Sequence, residues 1–171
     1  MNNLVERMIR AAKLDVNLYE EVEADRTALG QSMTVVILSS LAAGIGSVTQ
    51  GGVSGIIMGT IFALIGWLIW SYVTYIVGTK LLSTPETRAD YGELLRTIGF
   101  SSSPGIIRIL GIIPGLGAIV FFAAGIWMFI TMIIAVRQAL DYTSTLRAVG
   151  VCIIGAIIQG IVIGIFFGLI N

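Results

Sequence analysis

Three long tracts without a charged side chain dominate the sequence. Residues 27–79, 109–136 and 148–171 contain no Asp, Glu, Lys or Arg across 53, 28 and 24 positions. A helix that crosses a bilayer needs about 20 mostly apolar residues, so the first tract has room for two crossings and each of the others for one. Soluble domains carry about 25% charged residues, whereas this chain has 12%. The tracts therefore predict an all-α, polytopic membrane protein.

Turn signals divide the apolar sequence into five predicted spans. Gly51-Gly52 and Pro114-Gly115 mark two tight turns. The predicted transmembrane domain covers residues 33–171, with spans at about 33–49, 53–78, 93–113, 115–136 and 146–170. Pro104 removes a backbone donor and crowds the preceding turn, which predicts that the third helix is broken near this residue. The alternative is that residues 97–113 re-enter from the cytoplasm, which would leave four spans.

The basic residues indicate the orientation of the chain. Nine of the ten Lys and Arg residues fall in the N-terminal segment 1–32 or in the two polar loops, 79–96 and 137–147. The turns on the opposite side and the C-terminal tail contain none. Since Lys and Arg accumulate in cytoplasmic loops, five spans predict a cytoplasmic N-terminus and an extracytoplasmic C-terminus. Re-entry of the third segment would place Arg137 and Arg147 outside, against this rule.

Residues 1–32 are predicted to form cytoplasmic amphipathic and acidic helices. Apolar residues recur at helical spacing in segment 2–13, which is typical of a helix lying in the membrane interface. Packing of this helix on the protein's own cytoplasmic loops is the alternative. Asp15 is a predicted N-cap for a second helix. That helix carries an acidic run, which is a candidate surface for a cytoplasmic protein partner or simply a solvated face: Tyr19, Glu20, Glu21 and Glu23.

The third apolar segment contains the candidate ligand-binding residues. Arg108 is the only charge within an apolar stretch, where an arginine is costly and commonly marks a ligand, lipid or ion contact. The alternative is snorkelling, because Arg108 lies only six residues from Pro114, or structural bonding within the protein. Ser101, Ser102 and Ser103 are predicted either to line a polar cavity at the break or to satisfy the carbonyls that Pro104 frees.

Small residues recur every four positions on two of the predicted spans. Such stripes allow helices to approach closely and gain van der Waals contact within a bilayer. We expect either packing within one chain or a self-association face that forms a homo-oligomer. The stripes are Gly55, Gly59 and Ala63 on the second span, and Ala156, Gly160, Gly164 and Gly168 on the fifth.

The residue inventory argues against several classes of function. The chain has no histidine and a single cysteine, so it cannot form an internal disulfide and is a poor candidate for a zinc protein. Its formal net charge of zero provides no electrostatic case for nucleic acid. No base accompanies the serines in a nucleophile-elbow pattern. We expect neither an enzyme nor a bound cofactor.

Several short motifs occur together in a recognisable order and spacing. They are Tyr91-Gly92-Glu93-Leu94-Leu95-Arg96, Ser103-Pro104, Ile113-Pro114-Gly115-Leu116-Gly117, Trp127 and Ala135-Val136-Arg137-Gln138-Ala139. With these motifs the chain resembles the Yip family, the Ypt/Rab-interacting membrane proteins, in its short prokaryotic form. The resemblance implies five spans, a cytoplasmic N-terminus and a prokaryotic cell membrane. Eukaryotic members are associated with Rab GTPases, vesicle traffic and membrane shaping, but their Asp-Leu-Tyr-Gly-Pro motif is absent, since Leu18-Tyr19 is followed by Glu20-Glu21.

These features favour a non-enzymatic integral membrane scaffold, or a membrane-organising protein of the trafficking type. It would act through helix packing and cytoplasmic contacts, with membrane lipids, further copies of itself and a cytoplasmic protein as partners, and without nucleic acid. The alternative is a small transporter or channel, or a lipid-binding protein. Either alternative would use the broken third span, with Ser101–Ser103 and Arg108 at its site.

Overall fold

The computed structural model describes the backbone of residues 3–170, and all the regular structure in that range is helical. The side chains of residues 49, 50, 162, 163 and 166–170 are not described. Seven α-helices follow one another along the chain: α1 (Leu4–Ala12), α2 (Val16–Ala24), α3 (Leu29–Gly46), α4 (Val48–Ile76), α5 (Tyr91–Ser101), α6 (Gly117–Ala139) and α7 (Thr145–Ile170). A 3-10 turn covers Arg26–Ala28, a π-helical turn Val77–Leu81, and a longer 3-10 segment Ser103–Ile112. The all-helical prediction is confirmed.

Three helical stretches in the described residues are long and apolar enough to cross a membrane. They are Arg26–Gly46, Gly51–Leu81 and Gly117–Ala139, and a shorter apolar helix covers Thr145–Ile161. Their length and composition match a bilayer core about 30 Å thick, as expected for an integral membrane protein. The count of five spans stays a prediction.

The third apolar segment consists of two helical pieces. Asp90 caps α5, because its side chain accepts from the Glu93 backbone N–H while the Glu93 side chain accepts from the Asp90 N–H. The α-helix ends at Ser101, and the 3-10 segment follows with Pro104 in its first turn. Eleven α-helical and ten 3-10 residues together extend about 36 Å. The segment therefore has the length of a membrane crossing without being one continuous α-helix.

Close contacts fix the direction of this segment relative to α3. Gly99 lies against Ser32, such that an added Cβ would sit 2.6 Å from the serine Cβ. Farther along both segments, a Cβ added at Gly111 would sit 2.9 Å from the Gly46 carbonyl oxygen. The residue numbers increase in the same direction along both segments, from Ser32 to Gly46 and from Gly99 to Gly111. The α3 helix and the α5–3-10 segment therefore run in parallel. They start at the end of the bundle that carries loops 79–96 and 137–147, which we term the polar-loop end.

The remaining helices complete an alternating arrangement. In α4, Ile56 lies beside Gly44, and the Tyr91 hydroxyl near the start of α5 donates to the Leu68 carbonyl at 2.9 Å, so α4 runs opposite to α3. In α6, the Thr131 hydroxyl donates to the Ser101 carbonyl at 2.7 Å. Gly111 lies beside Phe121, so α6 runs opposite to the α5–3-10 segment. Gly150 lies beside Leu82 and Gly155 beside Trp70, so α7 runs opposite to α4. The five apolar segments consequently run in alternating directions along the chain.

The N-terminal helices α1 and α2 form a hairpin that packs on the bundle. Asp15 caps α2 by accepting from the Asn17 N–H at 3.0 Å, which confirms the predicted N-cap. The hairpin and the bundle share one apolar core of buried residues: Met8, Ala11, Leu18, Tyr19, Val22, Ala28, Val35, Phe100 and Ala135. Residues 1–32 are thus continuous with the transmembrane domain through this core.

Candidate functional site

Arg108 is bonded into the bundle at its 3-10 segment. Its Nε donates to the Gly105 carbonyl at 3.0 Å, and Nη2 donates to the Ser39 carbonyl and hydroxyl at 3.0 and 2.7 Å. Ser39 lies seven residues before the end of α3 at Gly46, about 10 Å along the helix axis. The guanidinium thus forms structural bonds within the bundle, which was one of the predicted alternatives.

The three serines before Pro104 have two different roles. The Ser101 hydroxyl donates to the Ile98 carbonyl at 2.7 Å, and the Ser103 hydroxyl donates to the Phe100 carbonyl at 2.6 Å. Both bonds satisfy carbonyls near the end of α5, the local role that was one of the two predicted alternatives. Ser102 instead lines a cavity together with Arg108. The predicted group of residues is therefore only partly brought together.

That cavity lies among α3, α4, α6, α7 and the 3-10 segment and has a volume of about 500 Å³. Ser39, Ser40, Ser102, Arg108 and Gln159 line it with polar groups. Its apolar wall consists mainly of Val36, Ala63, Trp67, Trp70, Ile98, Met128, Met132 and Ala156. Volumes of about 300–1,000 Å³ with a few convergent polar groups are typical of small-molecule sites. Sequence analysis predicted the arginine and Ser102 but not the tryptophan and methionine wall, whose residues lie far apart in the chain.

The small-residue stripes do not meet within the described structure. An added Cβ at Gly55, Gly59, Gly160 or Gly164 would have no other heavy atom within 4 Å, apart from its own helix backbone. Ala63 and Ala156 face the cavity, and the predicted Gly168 contact lies outside the described side chains. These glycines accordingly do not pack against other described parts of the chain, and self-association through them stays a prediction.

The acidic run of α2 is largely engaged within the protein. Tyr19 is fully buried, with its hydroxyl on the Ala11 carbonyl at 3.3 Å, so it offers no surface to a partner. Glu21 pairs with Arg7 at 2.9 Å and with Arg10 at 2.7 Å, and Glu20 accepts from Gln138 at 2.5 Å. Binding of a cytoplasmic protein to this run stays a prediction.

Glu23 lies in an unfavourable electrostatic environment. Burial, followed by the nearby carboxylates of Glu93, Asp141 and Glu20, raises the pKa of Glu23 to about 8. The positive charge of Arg96 opposes this shift only in part. The result is a carboxyl that titrates near neutral pH where the hairpin meets α5.

Three side chains missed by sequence analysis fasten the hairpin. Arg96 donates to the carbonyls of Val22 and Glu23 at the end of α2, and Trp127 donates from Nε1 to the Ala12 carbonyl at the end of α1, at 2.8 Å. Both satisfy helix-terminal acceptors. The third is the buried Arg7, whose partners are Glu21, Asp25 and Gln31.

Helical periodicity offered a signal for Arg7 alone, while Arg96 and Trp127 appeared only within the motifs of the family resemblance. It lies three residues after Leu4 and four before Ala11, so it shares a helix face with two apolar residues. Arg96 and Trp127 reach partners 73 or more positions away along the chain, which periodicity cannot reveal. Among the described residues no cluster of acidic or cysteine side chains is arranged to hold a metal ion.

Comparison with known protein families identifies the family of this chain. The model of the Yip1 domain matches residues 18–167 of the chain. No curated protein and no solved structure matches it. The matched range takes in α2 and every apolar segment of the bundle, and it confirms the resemblance seen in the motifs of the second half. The chain therefore belongs to the Yip family of membrane proteins, as a member defined by its Yip1 domain.

Proposed function

We propose that this protein is a non-enzymatic membrane-organising protein that holds an amphipathic hairpin in the cytoplasmic leaflet. The observation that carries the proposal is where α1 and α2 lie along the bundle. Glu20 bonds Gln138 near the polar-loop end, whereas Ala12 bonds Trp127, the eleventh of the 23 residues of α6. The hairpin thus occupies one half of the bundle's length and leaves the other half uncovered.

The outer side of the hairpin is suited to lipid. In α1, the bundle covers Met8 and Ala11, while Val5 and Ile9 are 58% and 50% exposed. The exposed apolar strip continues through Leu14 in the turn. Charged side chains adjoin the strip, including Glu6 on α1 and Lys13 directly after its end. A helix with an apolar face beside charged residues is stable at the boundary between acyl chains and headgroups.

Five crossings and a cytoplasmic N-terminus form part of the proposal. The alternating directions of the five apolar segments support five crossings, as does the length of about 36 Å for the α5–3-10 segment. The accumulation of basic residues at the polar-loop end and in the hairpin supports a cytoplasmic location for that end. The hairpin then lies in the cytoplasmic leaflet.

A physical consequence of this arrangement is asymmetry between the leaflets. The hairpin adds protein cross-section to one leaflet only, so the molecule is broader on the side of the polar-loop end. Such a molecule fits best where that leaflet is expanded, on the outside of a curved membrane. Selection of curved membrane, or stabilisation of it, is the mechanism by which the protein would organise a bilayer.

Membrane tubes drawn from giant vesicles test this mechanism. The labelled protein is reconstituted with its N-terminus outward, and its density in the tube is compared with its density in the flat membrane. We expect enrichment in the tube that increases as the tube narrows. Replacing the exposed pair with V5S and I9S should abolish most of the enrichment, because the hairpin then loses its apolar contact with lipid.

A matched control is available on α4. Val53 and Ile57 have the same residue types and spacing and are 70% and 57% exposed, but they lie outside the hairpin. V53S together with I57S should leave the enrichment unchanged. Equal enrichment of the two double variants, or no enrichment of the unaltered protein, would contradict the proposed function.

A further inference from the structure

Arg108 has no counter-ion among the residues that the structure describes. All ten acidic residues of the chain lie in the described part, where the ion pairs join Arg7 and Arg10 to carboxylates of the hairpin. The partners of Arg108 are two carbonyls and a hydroxyl, all neutral, and they occupy Nε and Nη2. No hydrogen bond in the described residues uses Nη1. An arginine within an apolar segment is costly unless its charge is compensated.

Two further polar groups at the same cavity are unpaired. The Trp70 Nε1 donor on α4 and the Gln159 Oε1 acceptor on α7 are buried atoms that form no hydrogen bond with the described residues. A buried polar atom without a partner is unfavourable and requires an explanation. Arg108, Trp70 and Gln159 therefore line one cavity from three separate elements, and each has unused bonding capacity.

The rest of the cavity is suited to hydrocarbon. Trp67, Met128 and Met132 supply much of its wall, and methionine adapts to apolar ligands of varied shape. At Gly160, which lines the cavity, an added Cβ would meet no neighbouring atom, and the same holds one turn later at Gly164. The wall is thus open along α7, in the apolar part of the bundle, where the adjoining medium is acyl chains.

We propose that this cavity binds a membrane amphiphile with an anionic headgroup. A phosphodiester or carboxylate oxygen accepts from Nη1 of Arg108, whose planar donors match either anion. Trp70 Nε1 donates to a second ligand oxygen, and Gln159 Oε1 accepts from a headgroup hydroxyl or ammonium. The acyl chain follows the methionine wall and leaves past Gly160 into the bilayer. This site is independent of the hairpin and of the proposed function.

Tryptophan quenching by brominated lipids tests the site. The chain has three tryptophans, and W127F leaves only Trp67 and Trp70, both at the cavity. This protein is reconstituted in phosphatidylcholine vesicles containing increasing fractions of lipid brominated on the acyl chain. The brominated lipids are phosphatidylglycerol, phosphatidylcholine and free stearate. We expect one of the two anionic lipids to quench at about tenfold lower mole fraction than phosphatidylcholine, as one charge-assisted hydrogen bond provides.

Variants then test whether the preference for anionic lipid depends on Arg108. R108Q should remove that preference. R108K keeps the charge but not the planar donors, so it should retain part of the preference. R147Q, which removes a charge at the polar-loop end, should preserve it. The comparison of phosphatidylglycerol with stearate identifies which anionic headgroup the cavity prefers.

The result that would overturn the proposal is equal quenching by anionic and zwitterionic lipids in the unaltered cavity, or an undiminished preference in R108Q. If R108Q does not fold, G160L provides the test of the proposed site. Gly160 has room for a side chain, and a leucine there should obstruct the opening without touching Arg108. Anionic preference that survives in G160L at full strength would refute the proposed path of the acyl chain.

Discussion

Arginine and tryptophan side chains connect elements that are distant in the sequence. Arg96 and Trp127 donate to the terminal carbonyls of α2 and α1, where the helix has no internal partner for them. Arg108 joins its 3-10 segment to α3 through the Ser39 carbonyl, which lies in the interior of that helix. A cationic donor at a helix C-terminus also interacts favourably with the helix dipole. Positioning of the hairpin therefore depends on a few individual side chains as well as on its apolar core.

Docking of the hairpin should depend on pH through Glu23. Because the pKa of Glu23 is raised to about 8 in the folded protein, from an ordinary value near 4.3, the docked state favours the protonated carboxyl. Its stabilising contribution is complete below about pH 4 and is lost as the pH rises through 8. Amide hydrogen exchange of α2, corrected for the intrinsic rate, should accordingly be faster at pH 8.5 than at pH 6.

E23Q should remove most of this difference and slow exchange at the higher pH, since glutamine resembles the protonated acid. E6Q is the control, because Glu6 is an exposed glutamate on α1, and it should exchange like the unaltered protein. A pH dependence of α2 that is unaffected by E23Q would show that another group is responsible.

Some of these residue roles could be predicted from the sequence. It singled out Arg108 because an isolated charge in an apolar stretch is conspicuous, and it offered local bonding for Ser101 and Ser103 because Pro104 frees carbonyls nearby. It placed Tyr19 on a surface, and this was wrong: the side chain is fully buried. The helical periodicity around Tyr19 was correct, but it could not show that α5 and α6 cover that face.

At the scale of elements, the bundle depends on close approach between α3 and the α5–3-10 segment. Gly99 lies so near Ser32 that no side chain fits between them. Within a bilayer, where hydrophobicity does not drive helices together, such small-residue contacts supply much of the association. The stripes singled out from the sequence, such as Gly55 and Gly160, make no such contact. The four-residue repeat of small residues therefore did not identify the glycines that pack against another helix.

G99V should destabilise the bundle, because its Cβ would lie 2.6 Å from that of Ser32 and force α5 away from α3. We expect a loss of about 1–3 kcal/mol, the usual cost of overpacking a tight contact, seen as a lower Tm in detergent. G125V on α6 is the matched control, since an added Cβ at Gly125 meets no other atom. Similar Tm values for the two variants would mean that the α3–α5 contact is not close in solution.

At the scale of the whole molecule, the order and type of the elements could largely be predicted from the sequence. Charge-free tracts specify lipid as the solvent, and the turn at Pro114-Gly115 divides two of the segments. The turn predicted at Gly51-Gly52 is instead a break within α4 at Gly52, where φ is 60°, because α3 already ends at Gly46. The cavity and the depth of the hairpin could not be predicted, because both depend on how separate helices cross. The proposed membrane organisation rests on the hairpin, and the proposed amphiphile site rests on the cavity.

Both proposals require the α5–3-10 segment to cross the bilayer. Loop 79–96, which leads into α5, and loop 137–147, which begins at the end of α6, then lie in the same compartment. Single-cysteine labelling in sealed membranes tests this most directly. In a C152A background, cysteines are introduced by S83C, T143C and L116C, at positions exposed in the structure. A membrane-impermeant maleimide should label S83C and T143C only from the cytoplasmic side, and L116C only from the opposite side. Labelling of S83C and T143C from opposite sides would contradict the account.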